Sequence, residues 1–256
     1  MQISIALLQY PIHWADKEEN IRLTEQRVQA IAGKADIALL PEMFSTGFCT
    51  DRPDLAEPID GETMHRLQHL SDTTGVAVAG SFICKEKERL YNRGFLVSPY
   101  AAPQFSDKAH LYAHGGEDRF FTKGEERKVW EYKGVKMRML ICYDLRFPIY
   151  ARNRTGHDYD ILLVSANWPE CRIQYWDALI AARATENQCY ICAANPVGDD
   201  GLGLHYNGHS IAYDTRLQPL VQPADNEEGT YIATFNIDTL HHFRQTLPLW
   251  KDADTF

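Results

Sequence analysis

The chain has 256 residues, of which 45% are hydrophobic and 24% charged, so it can bury a sizeable core and does not have the composition of a disordered protein. A formal charge of −9 with no basic stripe argues against a sequence-independent grip on nucleic acid. No apolar run approaches the roughly 18 residues that a bilayer-spanning helix needs.

Strands and helices alternate along most of the length. Met1 to Gln9 lacks a basic leader and a cleavage site and reads as a first strand, with its apolar run at Ile3 to Leu8. The spacing then predicts a helix from about Lys17 to Ala32, capped by Asp16, with Glu19 completing a capping box and Gly33 stopping it. A strand at Ile37–Leu40, a helix at Glu62–Asp72 and a strand at Val76–Ile83 follow. The mixed charges from Lys85 to Arg89 read as a solvated turn that pairs this strand with Tyr91–Val97 in an antiparallel hairpin.

Ser98 to Gly124 reads as a long polar loop, a length associated with function or disorder. Strands Val129–Tyr132 and Val135–Ile141 come next, then a helix around Ile149–Arg154, a strand at Ile161–Val164 and a helix of about Arg172–Gln188. Strands Tyr190–Ala194, Ser210–Tyr213 and Thr230–Asn236 and a short helix from Asp238 complete the pattern. No repeat or linker divides the chain, so residues 1–256 read as one domain, with an aromatic, charged tail over about 247–256. The short Val-, Ile- and Leu-rich runs predict an α/β architecture of stacked sheets with helices outside.

Three strand ends carry the side chains of an acyl-transfer site. Cys142 follows Val135–Ile141 and opens a polar turn, where free N–H groups favour a thiolate and a developing oxyanion. Glu42 follows Pro41 at the end of Ile37–Leu40, and Lys108 lies beyond Tyr91–Val97. Glu42 suits a general base. Lys108 and the Tyr143 backbone N–H suit the charge on a tetrahedral intermediate, and Lys108 should also favour the thiolate. Glu117 could hold Lys108 or the substrate amide, or face water. Six cysteines in a chain of this length give no disulfide framework, so a reducing cytoplasm is the expected location.

Several other signals carry less. Cys189 and Cys192 have redox or metal spacing but sit in an apolar strand pattern with no second ligand pair, so core packing is expected and no metal. Gly201-Leu202-Gly203 lacks the context of a dinucleotide loop. His110 and His209 read as structural.

The chain resembles the nitrilase, or carbon–nitrogen hydrolase, superfamily. The resemblance rests on Leu40-Pro41-Glu42-Met43-Phe44, Asp107-Lys108-Ala109-His110-Leu111, Ile141-Cys142-Tyr143-Asp144-Leu145-Arg146-Phe147-Pro148, Ala182 to Gln188 and Gly208-His209-Ser210. It implies a four-layer αββα sandwich, a Glu42–Lys108–Cys142 triad, Glu117 as an additional carboxylate, and Asp144 and Arg146 as supports of the nucleophile turn. It also implies a cofactor-free enzyme that packs into dimers. Met43 to Phe48, Ala166-Asn167-Trp168-Pro169 and the tail are similar to the bacterial omega-amidases within that superfamily. That likeness implies hydrolysis of the side-chain amide of a small 2-oxo acid such as 2-oxoglutaramate or 2-oxosuccinamate. Arg172 is the candidate for the substrate carboxylate, with Tyr112 and Trp168 as pocket walls. A carbamoyl amine, a nitrile or another small amide is the alternative substrate, and a non-catalytic binding module the alternative role.

Overall fold

Period-two alternation along the strands decides the architecture. In the computed structural model, which describes residues 1–154 and 156–254, the first half of the chain forms β1 (Gln2–Gln9), α1 (Lys17–Ala30), β2 (Ile37–Leu39), α2 (Glu62–Thr74), β3 (Ala77–Glu86), β4 (Arg89–Val97) and β5 (Gln104–Asp107). The second half forms β6 (Trp130–Tyr132), β7 (Val135–Ile141), α3 (Pro148–Ala151), β8 (Ile161–Ser165), α4 (Ile173–Asn187), β9 (Tyr190–Ala194), β10 (Val197–Asp199), β11 (His205–Asn207), β12 (Ile211–Tyr213), β13 (Pro219–Val221), β14 (Gly229–Asn236) and α5 (Ile237–Thr246). One six-stranded sheet runs β14-β1-β2-β3-β4-β5 and a second runs β13-β12-β9-β8-β7-β6, with β10 and β11 as a separate pair.

Ile3, Ile5 and Leu7 of β1 turn into a core shared with Met137, Met139 and Ile141 of β7 and with Ile161 and Leu163 of β8. Ala6 and Leu8 turn the other way, against Ile21 and Val28 of α1 and Met64 and Leu67 of α2. On the second sheet Leu140, Leu162 and Val164 face outward against Trp176, Ile180 and Ala184 of α4. Both sheets are thus buried on both faces, which is why β2 and β8 read as unbroken apolar runs. The layers stack α–β–β–α, as expected.

Local chemistry sets the element ends. The Asp16 carboxylate accepts the Glu19 N–H at 3.1 Å and caps α1. The Glu19 carboxylate pairs with Arg22 instead of reaching back, so only half of the expected capping box forms. The antiparallel β3–β4 hairpin is in the expected place, closing with Glu86 opposite Arg89. The long polar loop is not structureless: β5 lies within it and pairs antiparallel with β4, Arg93 opposite Asp107. The helix expected over Ile149–Arg154 is a single turn at α3, preceded by a 3-10 segment over Cys142–Arg146. Cys189 and Cys192 are fully buried in cores on opposite sides of the second sheet, as core residues.

The tail forms a 3-10 turn at Leu249–Asp252, and the Gln188 side-chain amide donates to the Leu247 carbonyl at 2.8 Å. The last two residues of the expected tail, 255 and 256, lie outside the described residues. Among those residues no helix is long and apolar enough to cross a membrane.

Candidate active site

The loops after β2, β5, β7 and β8 meet at one place between the sheets. Glu42, three residues beyond β2, is fully buried, and Lys108, directly after β5, is 1% exposed. The Lys108 Nζ donates to Glu42 Oε1 at 2.8 Å and to Glu117 Oε1 and Oε2 at 3.0 and 2.8 Å. Glu117 is itself fully buried, and its Oε2 also accepts the Tyr112 N–H at 2.6 Å. Its expected water-facing alternative is therefore excluded; it holds the lysine and the Tyr112 backbone.

Cys142 begins the 3-10 segment with φ at +45°, a left-handed backbone that a β-carbon disfavours. This sharp turn aims the thiol into a cavity of about 630 Å³, mouth included, whose lining includes Glu42, Lys108, Tyr112, Tyr143, Trp168 and Arg172. All seven residues named from the sequence for triad, oxyanion turn and pocket, apart from Glu117 behind Lys108, therefore reach one hollow. Of the six cysteines only Cys142 lines it. Tyr143 is the second residue of the turn, where an N–H has no acceptor one turn back.

The electrostatics differ in one respect from the expectation of a resting thiolate. Burial, and then the Glu42 carboxylate, push the Cys142 thiol well above its ordinary value, and the opposing pull of Lys108 is smaller. Burial also raises the Glu42 carboxyl, against the pull of Lys108. For Lys108 burial favours the neutral amine, but the carboxylates of Glu117 and Glu42 outweigh it and raise its pKa, keeping it charged. The resting site is a neutral thiol beside a buried carboxylate that Lys108 holds in place.

Two asparagines complete this arrangement and were not singled out from the sequence. Asn92 of β4 donates its side-chain N–H to Glu42 Oε1 at 2.8 Å and to Glu117 Oε1 at 3.1 Å. Asn167, after β8, donates its backbone N–H to Glu42 Oε2 at 3.1 Å and its side-chain N–H to the Glu42 carbonyl at 2.7 Å. The Asn167 carbonyl lies 3.7 Å from the Cys142 sulfur. Nothing in the strand pattern marks Asn92; Asn167 stands in the Ala166–Pro169 match, which was its only signal.

The pocket mouth is aromatic and cationic. The Arg172 guanidinium lies 5.5 Å over the Tyr112 ring, and Trp168 is held by a bond from its indole N–H to the Arg172 carbonyl at 2.8 Å. Arg146 also lines the cavity, with its guanidinium 4.7 Å over the Trp168 ring. It faces the pocket, while Asp144 supports the turn: Asp144 Oδ1 accepts the His110 N–H at 2.9 Å and Oδ2 the Ile141 N–H at 3.2 Å. His110 is bonded to the same carboxylate, and His209 sits between Asp177 and Asp225, so both are structural as expected. Among the described residues no cluster of His, Cys, Asp and Glu has the makings of a metal site.

An αββα sandwich with thiol, ammonium and carboxylate converging from separate strand ends is the build of a hydrolase of carbon–nitrogen bonds. Residues 4–245 match the carbon-nitrogen hydrolase family, and the chain belongs to it. The chain is 37% identical over 254 residues to the omega-amidase YafV of Yersinia enterocolitica, covering 99% of this chain and 98% of that one. It is 31% identical to the 2-oxoglutaramate amidase of Bacillus subtilis (strain 168), with 98% of each chain covered. Among solved structures, XC1258 from Xanthomonas campestris, a CN-hydrolase superfamily protein with an arsenic adduct in its active site, matches with a TM-score of 0.97 at 35% identity. That match covers 100% of this chain and 98% of the other.

Proposed function

We propose that the protein hydrolyses the side-chain amide of a small 2-oxo acid, 2-oxoglutaramate or 2-oxosuccinamate, to the dicarboxylate and ammonia through a thioester on Cys142. The observation that carries this reading is the meeting of the Cys142 thiol, the Lys108 ammonium and the Glu42 carboxylate in one cavity with two guanidiniums at its mouth. The names of the relatives, omega-amidase and 2-oxoglutaramate amidase, support the substrate class.

In the acylation step the Cys142 sulfur attacks the amide carbon while its proton passes to Glu42. Lys108 and the Tyr143 N–H take the charge on the oxygen, each donor contributing about 3–4 kcal/mol to the transition state. The tetrahedral intermediate collapses, the C–N bond breaks, and the proton held by Glu42 leaves with ammonia. Glu42 then removes a proton from water as it attacks the thioester, and the acid departs with Cys142 protonated again. Glu117 keeps Lys108 charged and placed. Arg172 and Arg146 hold the distal carboxylate, while Tyr112 and Trp168 wall the chain of the substrate.

The reading includes a single domain over residues 1–256, a cytoplasmic location, no cofactor and a homodimer or higher homo-oligomer. Ile149 and Leu249, exposed apolar residues lining one surface groove, support the pairing of copies, and sedimentation at micromolar concentration tests it. Ammonia release from 2-oxoglutaramate, glutamine and asparagine in parallel tests the substrate. Release from the 2-oxo acid should exceed the others and vanish in Cys142→Ala, and full activity in that variant would refute the assignment. Arg172→Ala and Arg146→Ala should each raise KM for the 2-oxo acid amide about 10- to 100-fold, the worth of a charged hydrogen bond.

A further inference from the structure

Arginine is almost never fully buried without a partner. Arg138 lies on the helix-facing side of β7 and is 1% exposed, yet its Nε and Nη2 have no hydrogen-bond partner among the described residues. The Tyr150 ring lies 4.4 Å from its guanidinium, and a cation–π contact offsets only part of a buried charge. Arg127 is beside it, also with an unpartnered buried Nε. One Arg127 nitrogen donates to the Arg152 carbonyl, and its nearest acid, Asp158, stands 3.8 Å off. Burial first, and then the charges of Arg138 and Arg154, pull Arg127 down to about 10.

The nearby carboxylate that could neutralise Arg138 is committed elsewhere. Asp144 uses Oδ1 on the His110 backbone and ring and Oδ2 on the Ile141 N–H. A fully buried and a half-buried guanidinium therefore lie close enough to repel, each with a donor that has no partner among the described residues, in a protein whose overall charge is −9.

We propose that Arg127 and Arg138 form a binding site for a small inorganic anion, phosphate, sulfate or halide, behind the nucleophile turn. The planar donor forks of the two guanidiniums suit such an anion, and oxyanions best. The site is one aromatic stack from the catalytic residues. Tyr150 meets the His110 ring edge-on at 5.1 Å, and His110 stacks on Phe147 at 3.8 Å and holds Asp144. The bound anion fixes Arg138 against Tyr150 and so braces the turn that carries Cys142.

The test follows thermal unfolding of the full chain as phosphate, sulfate or chloride replaces the bulky HEPES anion at constant ionic strength. For the wild-type protein Tm should rise saturably, by about 5 °C at a hundredfold excess over half-saturation. Arg138→Met should lose that response and, in HEPES alone, unfold at or above the wild-type temperature, because one buried cation has been removed. No rise with any of the three anions, or an equal rise in both proteins, would overturn the proposal. So would a Tm that follows protein concentration but not anion, which would give the arginines to a partner's carboxylate. If Arg138→Met does not fold, calorimetric titration of the wild-type protein with phosphate decides: saturable heat supports the site, and its absence rejects it.

Discussion

A neutral thiol beside a buried base carries its own pH signature. Glu42 must be ionised to take the Cys142 proton, and burial raises its pKa. The acid limb of kcat/KM should therefore lie above the ordinary glutamate value of about 4.3. Cys142 is raised as well, so the alkaline limb should fall beyond the ordinary thiol value of about 8.5, leaving a plateau across neutral pH. A profile whose acid limb sits at or below 4 would count against Glu42 as the base. Asn92 sharpens the test, because its bond to Glu42 lowers that carboxyl. Asn92→Leu removes the donor, so the acid limb should move to higher pH and kcat should fall about 10-fold or more, with KM little changed. Glu42→Gln removes the base outright and should cost about 10²- to 10⁴-fold in kcat.

Among the elements, those set by local chemistry were the legible ones. Asp16 caps α1 through the Glu19 N–H, so Asp16→Ala should lower stability by about 1 kcal/mol, read as a Tm drop of about 2–4 °C. The doubly buried strands β1, β2, β7, β8 and β9 announced themselves as apolar runs, and Glu42 and Cys142 were found because each closely follows one. Less legible were elements that depend on a distant partner. β5, Gln104–Asp107, has no apolar run; it exists because β4 offers a free edge and Arg93 binds Asp107 at 2.7 Å. Asn92 was invisible for the same reason, since its role comes from two carboxylates 50 and 25 positions away. The resemblance implied that Arg146 supports the turn together with Asp144, but its guanidinium lies over the Trp168 ring and lines the pocket. The left-handed backbone at Cys142 leaves no trace in residue type either, because glycine would be the usual choice there.

At the scale of the molecule the site is also the seam between the sheets. Glu42 and Lys108 hang from the first sheet, Cys142 and Asn167 from the second. Ser165 Oγ donates to the Leu40 carbonyl at 2.9 Å, the Glu42 N–H to the Ala166 carbonyl at 3.2 Å, and Asn167 binds Glu42 twice. Lys108 stabilises this seam by keeping two buried carboxylates in place. Its pKa is raised in the fold, so its contribution is full below the unfolded lysine value near 10.4 and is lost only as pH climbs through the higher folded value. Lys108→Met leaves Glu42 and Glu117 facing each other without a cation, at a cost of about 3–5 kcal/mol. The Glu42 carboxyl, already raised by burial, then loses the opposing pull of Lys108 and disfavours the fold once pH passes the unfolded glutamate value. The variant should therefore lose all turnover and unfold about 10 °C below the wild-type protein at pH 8. Acidifying to pH 5 should narrow that gap, because protonating one carboxyl relieves the repulsion. A gap that stays constant between pH 5 and pH 8, measured by thermal unfolding, would show that Lys108 does not hold the two carboxylates together.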